Sequence, residues 1–162
     1  MIGDVLTSSI LFELLREKYP SARLDYLINS NTYPVVEENP YIDNFIFYTK
    51  EVQSSKRALF KLGKQLKKEK YDVIIDVYSK LSSNLITMLS GAKTKISYYK
   101  SYSKFIYDHN IKRKIKTNSE AGLAIINRLQ LLEPLNISGK LVHPKIYLTQ
   151  KEITESKKLL QR

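Results

Sequence analysis

The sequence contains no cysteine, no tryptophan and only two histidines among its 162 residues. The absence of cysteine excludes a disulfide scaffold, a thiolate-bound zinc or iron–sulfur site and a thiol nucleophile. The histidines, His109 and His143, lie too far apart in the sequence to indicate a histidine-rich metal centre. We therefore expect no metal site in this chain.

Long apolar runs and glycine-rich loops are also lacking. The longest apolar runs are about five residues, whereas ~20 are needed to cross a bilayer. The first residues lack the charged-then-apolar order of a signal peptide. With five glycines in all, neither G-x-G-x-x-G nor G-x-x-x-x-G-K occurs, so nucleotide binding through either of these loops is not indicated.

What the sequence does have is a globular composition with a large excess of positive charge. Hydrophobic residues make up 43% and charged residues 27%, and the length suits one domain. Lysine and arginine number 27 against 16 acidic residues, a net charge of +11. Nucleic acid, an anionic membrane surface or a phosphorylated substrate would each explain this excess. A lysine-rich proteome with solvated lysine faces is the alternative explanation.

Strand-like and helix-like segments alternate along the chain. The apolar spacing predicts a first helix that starts at Gly3-Asp4 and ends before Tyr19-Pro20. Strands are predicted over residues 22–28, 42–48, 72–78, 94–98 and 145–148. Further helices are predicted over residues 33–38, 54–70, 81–89 and 120–132. A last helix is predicted to begin at a capping box formed by Thr149 and Glu152 and to continue to the chain end. The alternation predicts an α/β fold with a mainly parallel sheet covered by helices on both faces.

The pair Gly3-Asp4 is the most informative local feature. Glycine permits a close approach of the backbone to a ligand, and the free N–H groups of a helix start attract anions. A carboxylate there would lie beyond the strand ends, where open α/β sheets bind ligands. The local sequence by itself favours the alternative interpretation, in which Asp4 is a helix cap. The hydroxyls of Thr7, Ser8 and Ser9 are candidates for binding an anionic group, or for capping.

A second candidate is the stretch 99–116, whose secondary structure the pattern leaves open. Basic residues, among them Lys112, Arg113 and Lys114, alternate there with tyrosine and phenylalanine. Such a mixture binds single-stranded nucleic acid, or it holds a sugar face and a phosphorylated lipid head group. A solvated loop is the third interpretation. His109 is interpreted as a loop residue, and Asp72 and Asp76 as contacts at the strand ends.

Several ordered segments together resemble glycosyltransferase family 9, the lipopolysaccharide heptosyltransferases and their relatives. The opening IGDVLTSS resembles the family's GD-V-L-x-T turn, and it leads into a helix that ends in YPSA and then a strand. The other similar segments follow in family order: NPYID at 39–43, KYDVIID at 70–76, SGAK at 90–93 before KISY, NRLQLL at 127–132 with LNI at 135–137, and PKIYL at 144–148 with Glu152.

The resemblance implies a fold and a domain assignment. The family has two Rossmann-like domains, with the active site in the cleft between them. Residues 1–162 resemble the N-terminal, acceptor-binding domain alone. We expect this single domain to be the N-terminal half of a GT-B fold, without the family's first strand and without the C-terminal donor domain. We also expect this isolated fragment to be inactive.

The resemblance also implies a chemistry for individual residues. The family transfers a sugar with inversion and without a metal, and its proposed general base maps onto Asp4. Gly3, Thr7, Ser8, Ser9, Lys112, Arg113 and Lys114 are then the expected acceptor-binding residues. The function implied is heptosyl-type transfer from a nucleotide-sugar, ADP-heptose, to a lipopolysaccharide core or related glycan. No cofactor is expected, since the donor binds to the missing domain.

The implied location is the cytoplasm, with peripheral contact at the inner membrane. The implied partners are the nucleotide-sugar and an anionic glycolipid acceptor, and nucleic acid is not expected. The alternative function is a nucleic-acid- or anion-binding module with a Rossmann-like fold, in which case the resemblance is one of fold alone.

Overall fold

The computed structural model of the chain describes residues 1–117 and 119–160. These residues divide into two compact units: Met1–Phe47 with the residues from Val142 onward, and Tyr48–Leu141. The α-helices are α1 (Ile2–Lys18), α2 (Lys50–Ser54), α3 (Lys56–Glu69), α4 (Leu81–Ser90), α5 (Gly122–Gln130) and α6 (Gln150–Leu160). The strands are β1 (Asp25–Ile28), β2 (Asn44–Phe47), β3 (Val73–Asp76), β4 (Thr94–Tyr98) and β5 (His109–Ile111), and 3-10 helices occur at Ser30–Val35, Lys104–Ile106 and Glu133–Leu135.

In the first unit, α1 packs against a small parallel sheet. Strands β1 and β2 pair in parallel from Asp25 opposite Asn44 to Ile28 opposite Phe47. The apolar stripe of α1 is buried, and Val5 packs with Ile28 and Val36 in the core. At the far end of the helix, Arg16 donates to Asp43 at 2.6 Å and to the carbonyl of Ala22. These bonds fix the chain as it leaves α1 and enters β1.

The second unit contains a parallel sheet of three strands in the order β3-β4-β5. Its core includes Ile96, Tyr98 and Leu131, each with at most 1% of its surface exposed. Helix α3 packs tightly against α4, because Gly63 leaves room for the side chain of Leu89. The three strands run in the same direction, so the segments that follow them all emerge at one edge of the sheet.

The α/β fold class, the parallel strand pairing and most of the predicted elements are confirmed. Strand β4 has the predicted bounds, 94–98, and the capping box before α6 forms: Glu152 accepts from the N–H and hydroxyl of Thr149, which in turn accepts from the N–H of Glu152. Strands β1, β2 and β3 are shorter than predicted, at four residues each, and β5 falls in the stretch whose structure the sequence left open. Val73, Ile74 and Ile75 of β3 are half-buried rather than fully buried. The predicted end of the last helix at residues 161–162 lies outside the described residues.

Four local predictions are wrong. No strand forms over residues 145–148: side chains hold this segment, through Lys145 to Glu13 and Tyr147 against the ring of Tyr41, instead of ladder hydrogen bonds. The helix predicted over 54–70 is two helices, because Ser55 is extended and its hydroxyl caps α3. The helix predicted over 33–38 is a 3-10 helix that starts at Ser30. His109 begins β5 rather than lying in a loop.

Candidate functional site

The first turn of α1 carries the candidate catalytic carboxylate in the first unit. Gly3 and Asp4 are both helical, and the side chain of Asp4 is 38% exposed, with one carboxylate oxygen 3.6 Å from the amino group of Met1. A methyl group added at Gly3 would meet nothing within 4 Å. The helix start therefore presents an accessible carboxylate beside an open surface, in the positive field of the helix end.

The three hydroxyls that follow are bonded inside the helix. Thr7 donates to the carbonyl of Gly3 at 2.8 Å, Ser8 to that of Asp4 at 2.6 Å and Ser9 to that of Leu6 at 2.9 Å. None of them caps the helix. Ser8 and Ser9 are buried and Thr7 is half-buried, so Thr7 is the hydroxyl with most access to a ligand. Their role in acceptor binding stays a prediction.

The second unit offers a different candidate surface, at the carboxyl edge of its sheet. Three loops emerge there, over residues 77–80 after β3, 99–103 after β4 and 112–117 after β5. Open parallel sheets bind ligands at this edge, beyond the ends of their strands. The predicted acceptor residues Lys112, Arg113 and Lys114 belong to the third loop, so the structure places them at a position suited to binding.

Aromatic rings and an amide fix this third loop. The guanidinium of Arg113 lies 3.9 Å from the centre of the Tyr98 ring, and the ammonium of Lys112 lies 5.9 Å from that of Tyr99. The side chain of Asn127 bonds both backbone groups of Lys114, accepting from its N–H at 2.7 Å and donating to its carbonyl at 3.1 Å. Arg113 therefore packs more closely on its ring than Lys112 does, and it has the larger packing role.

A buried polar network underlies the first two loops. Asp76, the last residue of β3, accepts from the N–H groups of Tyr78 and Ser79 at 2.8 and 2.9 Å and from the Tyr107 hydroxyl at 2.6 Å. The Tyr107 hydroxyl oxygen also lies 2.7 Å from the amide oxygen of Asn84. Burial, together with the negative charge of Asp76, raises the pKa of Tyr107 above its ordinary value, so the phenol remains protonated and available as a donor.

The network holds Ser79 in an unusual backbone conformation. Its φ is 50°, in the left-handed region that non-glycine residues seldom occupy. The carbonyl of Ser79 accepts from the ammonium of Lys100 at 2.7 Å and from the hydroxyl of Tyr102 at 3.1 Å, and its hydroxyl lies 3.2 Å from that of Ser103. Two of the three loops at the carboxyl edge are therefore locked together.

The sequence interpretation missed this network. Asp76 does contact the loop at the end of its strand, as the sequence predicts, but the sequence does not show that it is buried and also accepts from Tyr107. Asn84 and Thr87 could have indicated the network, because they are polar residues three positions apart on the buried face of α4. Asp72, the other aspartate of this segment, pairs with Lys93 at 2.7 Å on the surface.

The described residues, 1–117 and 119–160, lack two features. They contain no group of three or more histidine, aspartate or glutamate side chains placed to hold a metal ion. Over the same residues, no helix has both the length and the apolar character needed to span a membrane.

Known proteins match this chain in sequence. Residues 59–161 match the profile of glycosyltransferase family 9 (heptosyltransferase). Lipopolysaccharide heptosyltransferase 3 of Escherichia coli is 29% identical over 145 residues, a match that covers 85% of this chain and 41% of the relative. A putative glycosyltransferase of Haemophilus influenzae is 24% identical over 127 residues, covering 78% of this chain and 36% of that protein. The chain thus spans about 40% of the length of the curated relatives it matches.

Solved structures match the fold over nearly the whole chain. The glycosyl transferase family 9 protein of Veillonella parvula has a TM-score of 0.79 at 19% identity, covering 99% of this chain and 46% of that structure. The E. coli ADP-heptose lps heptosyltransferase II has a TM-score of 0.66 at 17% identity, covering 98% of this chain and 47% of that structure. With the family profile matched over most of the sequence and the fold matched over nearly all of it, this chain belongs to glycosyltransferase family 9.

Proposed function

We propose that this chain is the acceptor-binding half of an inverting, heptosyltransferase-like glycosyltransferase. The observation that carries the proposal is the accessible carboxylate of Asp4 beside the open surface of Gly3, at the position where the resemblance places the general base. The loops at the carboxyl edge of the β3-β4-β5 sheet carry lysine and arginine and no acidic residue. Their positive charge supports an anionic acceptor.

The proposed reaction is a single displacement. As the acceptor hydroxyl attacks the anomeric carbon, the bond from that carbon to the nucleotide diphosphate breaks with its electrons, and Asp4 takes the hydroxyl proton. This chain needs no metal ligand for its part, because its task is to position the acceptor and accept one proton.

We assign the donor to the part of the relatives that has no counterpart in this chain. One solved relative, the E. coli heptosyltransferase WaaC, is described in one structure with ADP and in another with ADP-2-deoxy-2-fluoro heptose. By analogy the donor here is a nucleotide-sugar such as ADP-heptose, and no resident cofactor is required. The acceptor is an anionic glycolipid of the lipopolysaccharide-core class, met at the cytoplasmic face of the inner membrane.

A titration of the purified chain with deacylated lipopolysaccharide core tests the proposal. We expect saturable binding of the core glycan, no binding of single-stranded DNA at matched phosphate concentration, and no sugar transfer from any nucleotide-sugar. Gly3→Ala should weaken glycan binding at least about tenfold, because its methyl group enters the open surface beside Asp4 without touching the protein. Preference for the DNA would overturn the proposal in favour of a nucleic-acid-binding module.

A further inference from the structure

Helix α4 buries three polar side chains together with Ile86, and it leaves two bulky apolar residues exposed. Asn84, Thr87 and Ser90 are at most 4% exposed, whereas Leu81 is 78% and Met88 51% exposed. Leu81 and Met88 are seven residues apart and therefore lie on one face of the helix. Bulky apolar side chains exposed together on one helix face are typical of an interaction surface.

The loop after β4 and the 3-10 helix that follows it add further exposed apolar groups beside the start of α4. Phe105 is 78% exposed and Tyr102 is 54% exposed. The bond from the Tyr102 hydroxyl to the carbonyl of Ser79, and the 3.2 Å contact between the hydroxyls of Ser79 and Ser103, hold this loop against the turn that leads into Leu81. The exposed side chains therefore share one region of the second unit, on a rigid base.

Positive charge surrounds these apolar groups. Lys80 and Lys104 are exposed and flank Leu81 and Phe105 in the sequence, and no acidic residue occurs between Asp76 and Asp108. The buried centre of a protein–protein interface is depleted in lysine. Lysines that alternate with bulky apolar side chains suit a lipid surface instead, where the apolar groups enter the interface and the ammonium groups meet anionic head groups.

We propose that this region, the lysine–apolar patch (Lys80, Leu81, Met88, Tyr102, Lys104 and Phe105), docks the chain onto an anionic phospholipid bilayer. The inference rests on the proposed function for the membrane at which it acts, but it requires only phospholipid and not the acceptor. Docking through Leu81 and Phe105 would bring the carboxyl edge of the β3-β4-β5 sheet towards the head groups, where a glycolipid acceptor presents its sugars.

Vesicle co-sedimentation of the purified chain tests the patch. Vesicles of phosphatidylglycerol and phosphatidylethanolamine should bind the chain, and vesicles of phosphatidylcholine alone should bind it at least tenfold more weakly. Phe105→Ser and Leu81→Ser should each lower binding to the anionic vesicles by roughly tenfold, since each removes an apolar group that enters the interface. Phe60→Ser is the matched control, because Phe60 is an aromatic residue of α3, 44% exposed and outside the patch; it should stay within twofold.

A charge variant completes the test. Lys80→Gln with Lys104→Gln should reduce the preference for anionic over neutral vesicles, and added salt should do the same for the unaltered chain. Equal binding by the unaltered chain and Phe105→Ser, or no binding to anionic vesicles, would overturn the patch. Binding only to vesicles that carry the glycolipid acceptor would also overturn it, and would leave the proposed function standing. Failure to bind the soluble core glycan, with vesicle binding intact, would refute the proposed function alone.

Discussion

The backbone of Ser79 lies in the left-handed region although its side chain is fully buried. A non-glycine residue in this conformation costs roughly 1–2 kcal/mol. Asp76 offsets that cost by accepting from two successive N–H groups of the turn, and Lys100 and Tyr102 by donating to the Ser79 carbonyl. A sequence pattern does not show such a site, because the donors come from residues more than 20 positions away.

Two substitutions separate the strain at Ser79 from its hydroxyl bonds. Ser79→Ala removes the hydroxyl and keeps the strained backbone, whereas Ser79→Gly removes both. We therefore expect Ser79→Ala to be less stable than Ser79→Gly by about 1 kcal/mol, measured by urea unfolding. Equal stabilities would show that the turn carries no strain.

Because of Tyr107, we expect the free energy of unfolding to depend on pH in the alkaline range. Its raised pKa means that, above about pH 10, the unfolded chain releases a proton that the folded chain keeps. The folded state is then favoured less as the pH rises. Tyr107→Phe should cost about 2 kcal/mol at neutral pH, since Asp76 loses a donor to its carboxylate, and this deficit should shrink above pH 10. Parallel urea-unfolding curves at pH 7 and pH 10.5 check it; a constant deficit would contradict the assignment.

Asp4 carries the catalytic prediction. In a full-length protein that contains this segment, Asp4→Asn should lower kcat at least ~100-fold, the scale expected for loss of a general base. Binding of the core glycan to the 162-residue chain should change little, because an amide still bonds a hydroxyl. A kcat within threefold of the unaltered protein would reduce Asp4 to a residue of the helix start.

At the scale of elements, short sequence motifs correctly predicted the structures that are held by bonds between neighbouring residues. Thr149 and Glu152 form the predicted capping box, and β4 has its predicted bounds. The strand predicted over 145–148 does not form. A segment with a strand-like pattern becomes a strand only when a neighbouring strand pairs with it, and here side-chain contacts hold the segment instead. The exposure of Leu81 and Met88 on α4 was not predicted either, because periodicity does not say which apolar residues of a helix stay at the surface.

Two helical glycines should respond in opposite ways to alanine. A methyl group at Gly63 would lie 2.7 Å from Cβ of Leu89, while one at Gly3 would meet nothing within 4 Å. Alanine gains up to about 1 kcal/mol of helix propensity at either position, but overpacking between α3 and α4 costs typically 1–3 kcal/mol. Gly63→Ala should therefore lower the Tm, and Gly3→Ala should hold or raise it. A stabilising Gly63→Ala would show that α3 and α4 separate easily.

At the scale of the whole molecule, the segment that carries the proposed binding loops is strongly basic. Between residues 77 and 119, nine basic residues occur with one acidic residue, Asp108. Sequence reasoning located the basic loop at 112–114 and interpreted it as an acceptor site, but it could not place that loop at the same sheet edge as residues 77–80 and 99–103. That placement follows from the parallel pairing of β3, β4 and β5, which rests on long-range contacts.

The lysines of the basic loop at 112–114 are expected to contribute to binding of the core glycan. Arg113 stacks on Tyr98, so neutralising it would disturb packing as well as charge, and Lys112 and Lys114 give the cleaner test. Lys112→Gln with Lys114→Gln should weaken binding of the phosphorylated core glycan several-fold at low salt, because each exposed contact contributes modestly and two act together. The loss should fade as salt rises, since screening weakens the same contacts in the unaltered chain. Lys61→Gln with Lys68→Gln is the matched control: it removes the same charge from exposed positions on α3. Equal effects of the two pairs would mean that the glycan responds to net charge alone, and the acceptor site would then lie at the first turn of α1.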